Sequence, residues 1–223
     1  MVVKIILLPG HLAKYGKKCR LTRWLFIFYL CFTLFINFGC AKSEVKNINS
    51  PGNGIICFGN SITAGSGVSK KQAYPHLLQE MLDYSVINAG RSGEVASDGL
   101  RRLDNDVLSH QPLLVIIEFG GNDFLKKLPL SETVNNIRIM TERIQANGAM
   151  VAIADVSSGM IMKNYRKSYE RLARQTKSIF IPNLLKGIIT NPSLKSDSIH
   201  PNADGHRAIA ERIYQVIKPY LKR

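Results

Sequence analysis

The chain has 223 residues, of which 45% are hydrophobic, and carries a formal net charge of +14. This length and composition suit one domain with a substantial core. The basic residues are scattered in pairs such as Arg101-Arg102 and Lys126-Lys127. They form no long basic run interleaved with aromatics, so nucleic-acid binding is not expected; attraction to anionic lipid head groups is a weaker hypothesis.

Residues 1–39 predict an export signal. They contain six basic residues and no acidic one, and they continue into a mostly apolar segment over 24–38 that ends at Gly39-Cys40. Fifteen residues are fewer than the roughly 20 that a spanning helix needs. Gly39-Cys40 resembles a bacterial lipoprotein processing site, which predicts a lipidated Cys40 and attachment to a membrane facing the periplasm or cell exterior. Simple secretion and an uncleaved anchor are the alternatives.

Removing residues 1–39 with their six basic side chains lowers the formal charge from +14 to +8. Of the four cysteines, only Cys57 lies beyond residue 40, so neither an intradomain disulfide nor a cysteine metal site is expected. Residues 40–54, rich in Lys, Ser, Asn and Gly, are interpreted as a tether. Residues 55–223 are interpreted as the folded domain.

Short apolar runs alternate with helical patterns through this domain. The alternation predicts an α/β fold whose mostly parallel, five-stranded sheet is covered by helices on both faces. Asn147-Gly148 is expected to end one of the helices, and Ser131 to begin it. The predicted strands are 55–58, 85–88, 113–119, 150–154 and 178–181, and the predicted helices are 73–83, 98–109, 131–146, 163–176 and 202–218.

A serine follows the first predicted strand, in the segment Cys57-Phe-Gly-Asn-Ser-Ile-Thr-Ala-Gly65. Ser61 at this position is either a helix cap or a nucleophile. A serine nucleophile needs a base, and the base needs an orienting carboxylate. His200 and Asp197, three residues apart before Pro201, supply both groups. Taken together, these residues favour a catalytic Ser61–His200–Asp197 triad.

The oxyanion formed by such a reaction requires donors near the nucleophile. The candidates are the backbone N–H groups of Ser61 and Gly93 and the side-chain amide of Asn122. Each follows a predicted strand, and the carboxyl ends of parallel strands meet at one edge of a sheet. Gly93 and Asn122 could instead be ordinary turn residues. Gly90 is a close rival of Gly93.

Other polar residues are interpreted as structural. Asp123 is read as a carboxylate that braces its loop. Asp155 competes with Asp197 for the role of triad acid, but it has no neighbouring histidine. His206 falls in line with apolar residues of the last helix and is expected at the edge of the core. The segment 65–70 matches neither common phosphate-loop pattern, and a metal site around 197–206 is not expected.

The segments around Ser61, Gly93, Asn122 and His200, in this order, resemble those of the SGNH, or GDSL-type, hydrolases. The resemblance covers about residues 54–220 and is greatest to bacterial periplasmic thioesterases, lysophospholipases and arylesterases. It implies a flavodoxin-like α/β/α sandwich and hydrolysis through an acyl-enzyme, without a cofactor. Asn60 departs from the family motif, which usually has Asp before the serine.

The expected function is therefore hydrolysis of small acyl esters, lipid esters or acyl thioesters by an exported serine esterase. Two alternatives remain open at this point. One is a carbohydrate or cell-wall O-deacetylase, because the same residues suit acetyl esters. The other is an inactive surface protein that binds lipids or glycans. Phe124, Leu125 and Leu128 are expected to form walls of the pocket for the acyl chain.

Overall fold

The computed structural model describes residues 44–157 and 162–221, which contain a single five-stranded sheet. All of its strand pairs are parallel, in the order β2-β1-β3-β4-β5. This confirms the predicted α/β fold with the doubly wound order of flavodoxin-like proteins. The strands are β1 (Ile55–Gly59), β2 (Val86–Gly90), β3 (Leu114–Glu118), β4 (Met150–Ala154) and β5 (Ile179–Ile181).

The alternation of side chains along each strand produces two hydrophobic cores, one on each face of the sheet. Ile55 and Cys57 of β1 belong to one core, while Ile56 and Phe58 belong to the other. Helices α2 and α7 cover the first face, and α3, α5 and α6 cover the second. The helices are α1 (Ser61–Ala64), α2 (Tyr74–Met81), α3 (Ala96–Asp106), α4 (Gly121–Leu125), α5 (Leu130–Ala146), α6 (Lys163–Gln175) and α7 (Ala203–Ile217).

The helices differ in several respects from the sequence-based predictions. Helices α1 and α4 were not predicted, because four or five residues are too few to produce a periodic pattern. Helix α5 begins at Leu130, before Ser131, without a side-chain cap. It ends at Ala146, as expected from Asn147-Gly148, and Gly148 adopts a φ of 93° that favours glycine.

The predicted tether also differs where the structure describes it. Val45 is buried, and the Asn47 side-chain amide donates to the carbonyl oxygens of Gln145 and Ala149 at 2.8 and 2.9 Å. Residues 44–54 thus lie against the domain. The predicted export signal and Cys40 lie outside the described residues. In the described ranges, 44–157 and 162–221, no helix has the length and apolar character needed to span a membrane.

Candidate active site

Ser61 is the first residue of α1 and lies two residues after the end of β1. The preceding Asn60 caps this helix, because its Oδ1 accepts a hydrogen bond from Ile62 N at 3.1 Å. At the other end, Gly65 has a φ of 86° and its N–H donates to Ser61 O. A Cβ at Gly59 would lie 2.2 Å from Thr63 Oγ1, so glycine lets the turn close on the strand. The serine is therefore held tightly and is 9% exposed.

Residues 197–200, in the loop before α7, place a histidine and a carboxylate beside this serine. His200 Nε2 lies 3.1 Å from Ser61 Oγ, and His200 Nδ1 lies 2.7 Å from Asp197 Oδ2. Asp197 Oδ1 also accepts from the backbone N–H groups of Ile199 and His200, each at 2.8 Å. The predicted residues thus form a continuous hydrogen-bonded chain.

The charge state of Asp197 fixes the tautomer of His200. The hydrogen bond from His200, followed by those from the two backbone N–H groups, holds the pKa of Asp197 well below its usual range. An ionised carboxylate only accepts hydrogen bonds, so His200 Nδ1 carries the proton that faces it. Nε2 of the neutral imidazole is then left with a lone pair directed at the hydroxyl of Ser61.

Asn122 and Gly93 lie on two segments that are hydrogen-bonded to each other. Asn122, in α4, donates through Nδ2 to Glu94 O at 2.8 Å, and Lys126 Nζ donates to Gly93 O at 3.1 Å. Gly93 has a φ of 82° and no atom within 4 Å of where a Cβ would stand, so its backbone conformation is what favours glycine. Asn122 lines the same cleft as Ser61 and His200, whereas Gly93 does not.

The cleft beside Ser61 has a volume of about 180 Å³ and is lined mainly by apolar side chains. Phe124 and Leu125 contribute to its wall, as predicted, whereas Leu128 is not among the lining residues. The segment between β5 and α7 adds apolar residues that the sequence had not indicated. The main apolar lining consists of Phe124, Leu125, Met162, Leu185, Ile189 and Ile199.

Asp123 and Asp155, the other two carboxylates considered near the site, make hydrogen bonds that support the structure. Asp123 accepts from Ala96 N at 3.1 Å and from Thr133 Oγ1 at 3.0 Å, and burial raises its pKa. Asp155 is fully buried and accepts from the backbone N–H groups of Ser157 and Asn183, each at 3.0 Å. Both therefore brace loops at the carboxyl edge of the sheet, away from His200.

His206 is also buried, and its Nδ1 accepts a hydrogen bond from Tyr74 N at 3.3 Å. Burial, with a smaller contribution from His200, lowers the pKa of His206 to about 4, so the ring is neutral at pH 7. In the ranges that the structure describes, no group of three or more His, Cys, Asp or Glu side chains could hold a metal ion.

The residue at this site that sequence reasoning missed is Glu118, the last residue of β3. It is 1% exposed, and its Oε2 accepts from Thr63 Oγ1 at 2.8 Å and from Asn60 N at 3.4 Å. Burial raises the pKa of Glu118 to about 7 despite these hydrogen bonds. In the sequence, the only indication that Glu118 has a special role is that it is the single charged residue within the apolar run 113–119.

Comparison with known proteins identifies the family. Residues 57–208 match the model of the GDSL-like Lipase/Acylhydrolase family. The chain is 28% identical over 194 residues to the esterase TesA of Pseudomonas aeruginosa, with 82% of this chain and 96% of that protein covered. It is also 28% identical over 178 residues to thioesterase 1/protease 1/lysophospholipase L1 of Escherichia coli K12, with 75% and 84% covered.

A solved esterase structure is also similar to this chain. The psychrotrophic esterase EstA from Pseudoalteromonas sp., inhibited by monoethylphosphonate, matches with a TM-score of 0.68 and 28% identity, over 77% of this chain and 100% of that one. The family model covers about two thirds of the chain, and the matched proteins align over most of their own length. The chain therefore belongs to the GDSL-like, or SGNH, lipase/acylhydrolase family and is a carboxylic ester hydrolase.

Proposed function

We propose that this protein cleaves acyl esters, lysophospholipids or acyl thioesters through a covalent acyl-enzyme on Ser61. The observation that carries the proposal is the hydrogen-bonded chain from Ser61 Oγ through His200 to Asp197, which opens onto an apolar cleft. The names of the relatives, esterase and thioesterase/lysophospholipase, support the same substrate classes. No cofactor takes part in the proposed reaction.

In the first step, Ser61 Oγ attacks the carbonyl carbon of the substrate while His200 Nε2 takes the hydroxyl proton. The attack requires little movement, because Nε2 is already within hydrogen-bonding distance. Asp197 keeps the proton on Nδ1 and stabilises the imidazolium that forms. His200 then returns its proton to the departing alcohol or thiol, which leaves the acyl group on Ser61.

The negative charge on the carbonyl oxygen needs donors that are already in place. Ser61 N–H begins a helix and therefore has no intrahelical acceptor. Asn122 uses one amide hydrogen on Glu94 O and retains the other. We assign these two groups and the Gly93 N–H to the oxyanion hole. The same donors serve deacylation, in which His200 activates a water molecule.

The apolar cleft favours substrates with an acyl chain longer than acetyl. Burial of one methylene contributes about 0.8 kcal/mol, which corresponds to about a fourfold gain in kcat/KM. We therefore expect kcat/KM to rise with chain length until the acyl group fills the cleft. This lining supports the esterase proposal over the O-deacetylase alternative, for which a polar sugar-binding surface would be needed.

The proposed setting is the outer face of a bacterial membrane, with the domain attached through a lipid on Cys40. The support is the basic and apolar leader that ends at Gly39-Cys40. A full chain expressed in bacteria should incorporate labelled palmitate, and Cys40→Ser should not. Equal incorporation by the two proteins would contradict lipidation at this cysteine.

Hydrolysis of p-nitrophenyl esters from acetyl to palmitoyl, by the wild-type chain and by Ser61→Ala, tests the catalytic proposal. Serine-dependent turnover that increases with chain length would support it. A maximum at acetyl would instead indicate a deacetylase. The absence of both turnover and fluorophosphonate labelling of Ser61 would indicate an inactive binding protein, because only an activated serine reacts.

A further inference from the structure

Glu118 lies beside the turn formed by residues 60–63, which carries Ser61. The parallel register of β1 and β3 places Glu118 opposite Gly59, two residues before Ser61. One carboxylate oxygen, Oε2, accepts hydrogen bonds from Thr63 Oγ1 at 2.8 Å and from the Asn60 backbone N–H at 3.4 Å. These donors lie on either side of Ser61. A single carboxylate oxygen therefore anchors both ends of the segment that presents the nucleophile.

Asn60 contacts both the turn and this carboxylate. Its side-chain Oδ1 accepts from Ile62 N at 3.1 Å, and its backbone N–H donates to Glu118 Oε2 at 3.4 Å. An aspartate at this position could keep both contacts, but it would place a second carboxyl group beside Glu118. Asn60 therefore matches an ionised Glu118.

We propose that Glu118 is a positioning residue for catalysis: its carboxylate holds the 60–63 turn so that Ser61 Oγ faces His200, and the neutral amide of Asn60 adds no second negative charge beside it. The proposal rests on the proposed function, because it concerns the same serine. Glu118 does not need to touch the substrate for this role. Its effect on the reaction is transmitted through the turn.

Within residues 44–157 and 162–221, no basic side chain forms an ion pair with Glu118. Tyr74 of α2 and Tyr169 of α6 are fully buried, and burial raises their pKa values, so both are neutral. Cys57 of β1 is also buried, and burial raises its pKa to about 12. Arg102 of α3 donates to the Gly59 carbonyl oxygen at 3.1 Å. The guanidinium of Arg102 also forms ion pairs with Glu94 and Asp106 and lies 4.5 Å from the ring centroid of Phe58, and it does not pair with Glu118.

Protonation of Glu118 would disturb the turn. A protonated carboxyl brings an additional donor to a point where the hydrogen bonds of Thr63 and Asn60 already converge. Thr63 Oγ1 could accept the new proton only by directing its own hydrogen to Tyr74 OH, 2.9 Å away. Because burial raises the pKa of Glu118 to about 7, this change falls in the range where the enzyme would work. We therefore expect the ionisation of Glu118 to contribute to the acidic limb of the pH–rate profile.

The experiment compares Glu118→Gln, Asn60→Asp and the double variant with the wild-type protein, measuring kcat and KM for p-nitrophenyl butyrate between about pH 5 and pH 9. Glu118→Gln should lower kcat by about 10-fold with little change in KM, and should remove one ionisation from the acidic limb. Asn60→Asp should move that limb to higher pH by about one unit, because two adjacent carboxyls share a proton. The double variant exchanges amide and carboxylate and should recover part of the lost kcat.

Two further variants test whether an effect on kcat arises from the contacts of Glu118 with the turn. Thr63→Val removes one donor to Glu118 while preserving shape, and it should lower kcat in the same direction even if Glu118→Gln folds poorly. Glu170→Gln, on the surface of α6, is the matched control and should change neither kcat nor the profile. An unchanged kcat and pH profile in both Glu118→Gln and Thr63→Val would overturn the proposal.

Labelling by a fluorophosphonate separates this proposal from the assignment of the nucleophile. If Ser61 is labelled in the wild-type protein but Glu118→Gln and Thr63→Val both behave like the wild type at every pH, the nucleophile assignment stands and the positioning role is wrong. If Ser61→Ala retains full turnover, the proposed function itself is wrong. An acidic limb that does not move in Asn60→Asp would contradict the part assigned to Asn60.

Discussion

His200 Nε2 lies 3.1 Å from Ser61 Oγ, although 139 positions separate the two residues in the chain. The contact joins the end of β1 to the loop before α7. Helices α2 and α7 pack in the same core, and the Tyr74 N–H of α2 donates to His206 Nδ1 of α7 at 3.3 Å. The geometry of the site thus depends on how these helices pack on the sheet.

Ser61→Ala should abolish ester hydrolysis, with a loss of at least about 1,000-fold, while the domain stays folded. The substitution removes only the hydroxyl, and Asn60 would still cap α1. The measurement is turnover of p-nitrophenyl butyrate beside a thermal unfolding curve. Ser66→Ala, at a half-buried hydroxyl five residues further on, is the matched control and should remain active. Comparable turnover in wild type and Ser61→Ala would exclude Ser61 as the nucleophile.

Asn122→Ala should lower kcat by about 100- to 1,000-fold with a smaller effect on KM, because an oxyanion donor acts mainly in the transition state. Its amide also holds Glu94 O, so the loss could arise through the loop. Lys126→Met distinguishes the two causes, since it removes the contact that the residue directly after α4, the helix of Asn122, makes with Gly93 O. Lys126→Met should cost no more than a few-fold. Equal losses in both variants would mean that Asn122 acts by anchoring the loop.

Asp197→Asn and Asp155→Asn should have different consequences. Asp197 is half exposed and bound to His200, so its substitution should lower kcat by about 100-fold or more with little loss of stability. Asp155 is buried and supports two backbone N–H groups, so its substitution should reduce the free energy of unfolding by about 1–3 kcal/mol. Steady-state kinetics and urea unfolding of both variants provide the measurement. A larger fall in kcat for Asp155→Asn would reverse the assignment.

The sheet and the proximity of Ser61, His200 and Asp197 could be predicted from the sequence because each leaves a local signal. Strands β1, β3 and β4 are wholly buried and read as continuous apolar runs. Asp197 and His200 lie close together in sequence, so one loop can present both side chains. The pattern therefore identified the partners of Ser61 before their distance was known.

Residues whose role depends on contacts between distant segments could not be predicted in this way. Glu118 appeared only as a charged residue ending an apolar strand, and its contacts with Asn60 and Thr63 require β1 and β3 to be in register. Leu185 and Ile189 line the cleft because the segment after β5 folds back over it. Neither residue shows a periodic pattern in the sequence that would place it there.

The pH dependence of stability should show two opposing contributions. Burial raises the pKa of Glu118 from 4.5 to about 7, so the folded state binds its proton more tightly than the unfolded chain does. The free energy of unfolding therefore decreases as the pH rises from about 4.5 to about 7. Burial lowers the pKa of His206 from 6.5 to about 4, so its contribution decreases as the pH falls through that interval.

Substituting either Glu118 or His206 should reveal how the other residue contributes to the pH dependence of the free energy of unfolding. In Glu118→Gln, the free energy of unfolding should decrease steeply on acidification from about pH 6.5 to pH 4, because His206 acts without opposition. In His206→Asn, whose amide oxygen can replace Nδ1 as the acceptor for Tyr74 N, it should increase over the same interval. Urea unfolding at several pH values measures both slopes, and the slope is informative even where a substitution lowers stability overall. Parallel slopes in the two variants would mean that these buried groups do not govern the acid response.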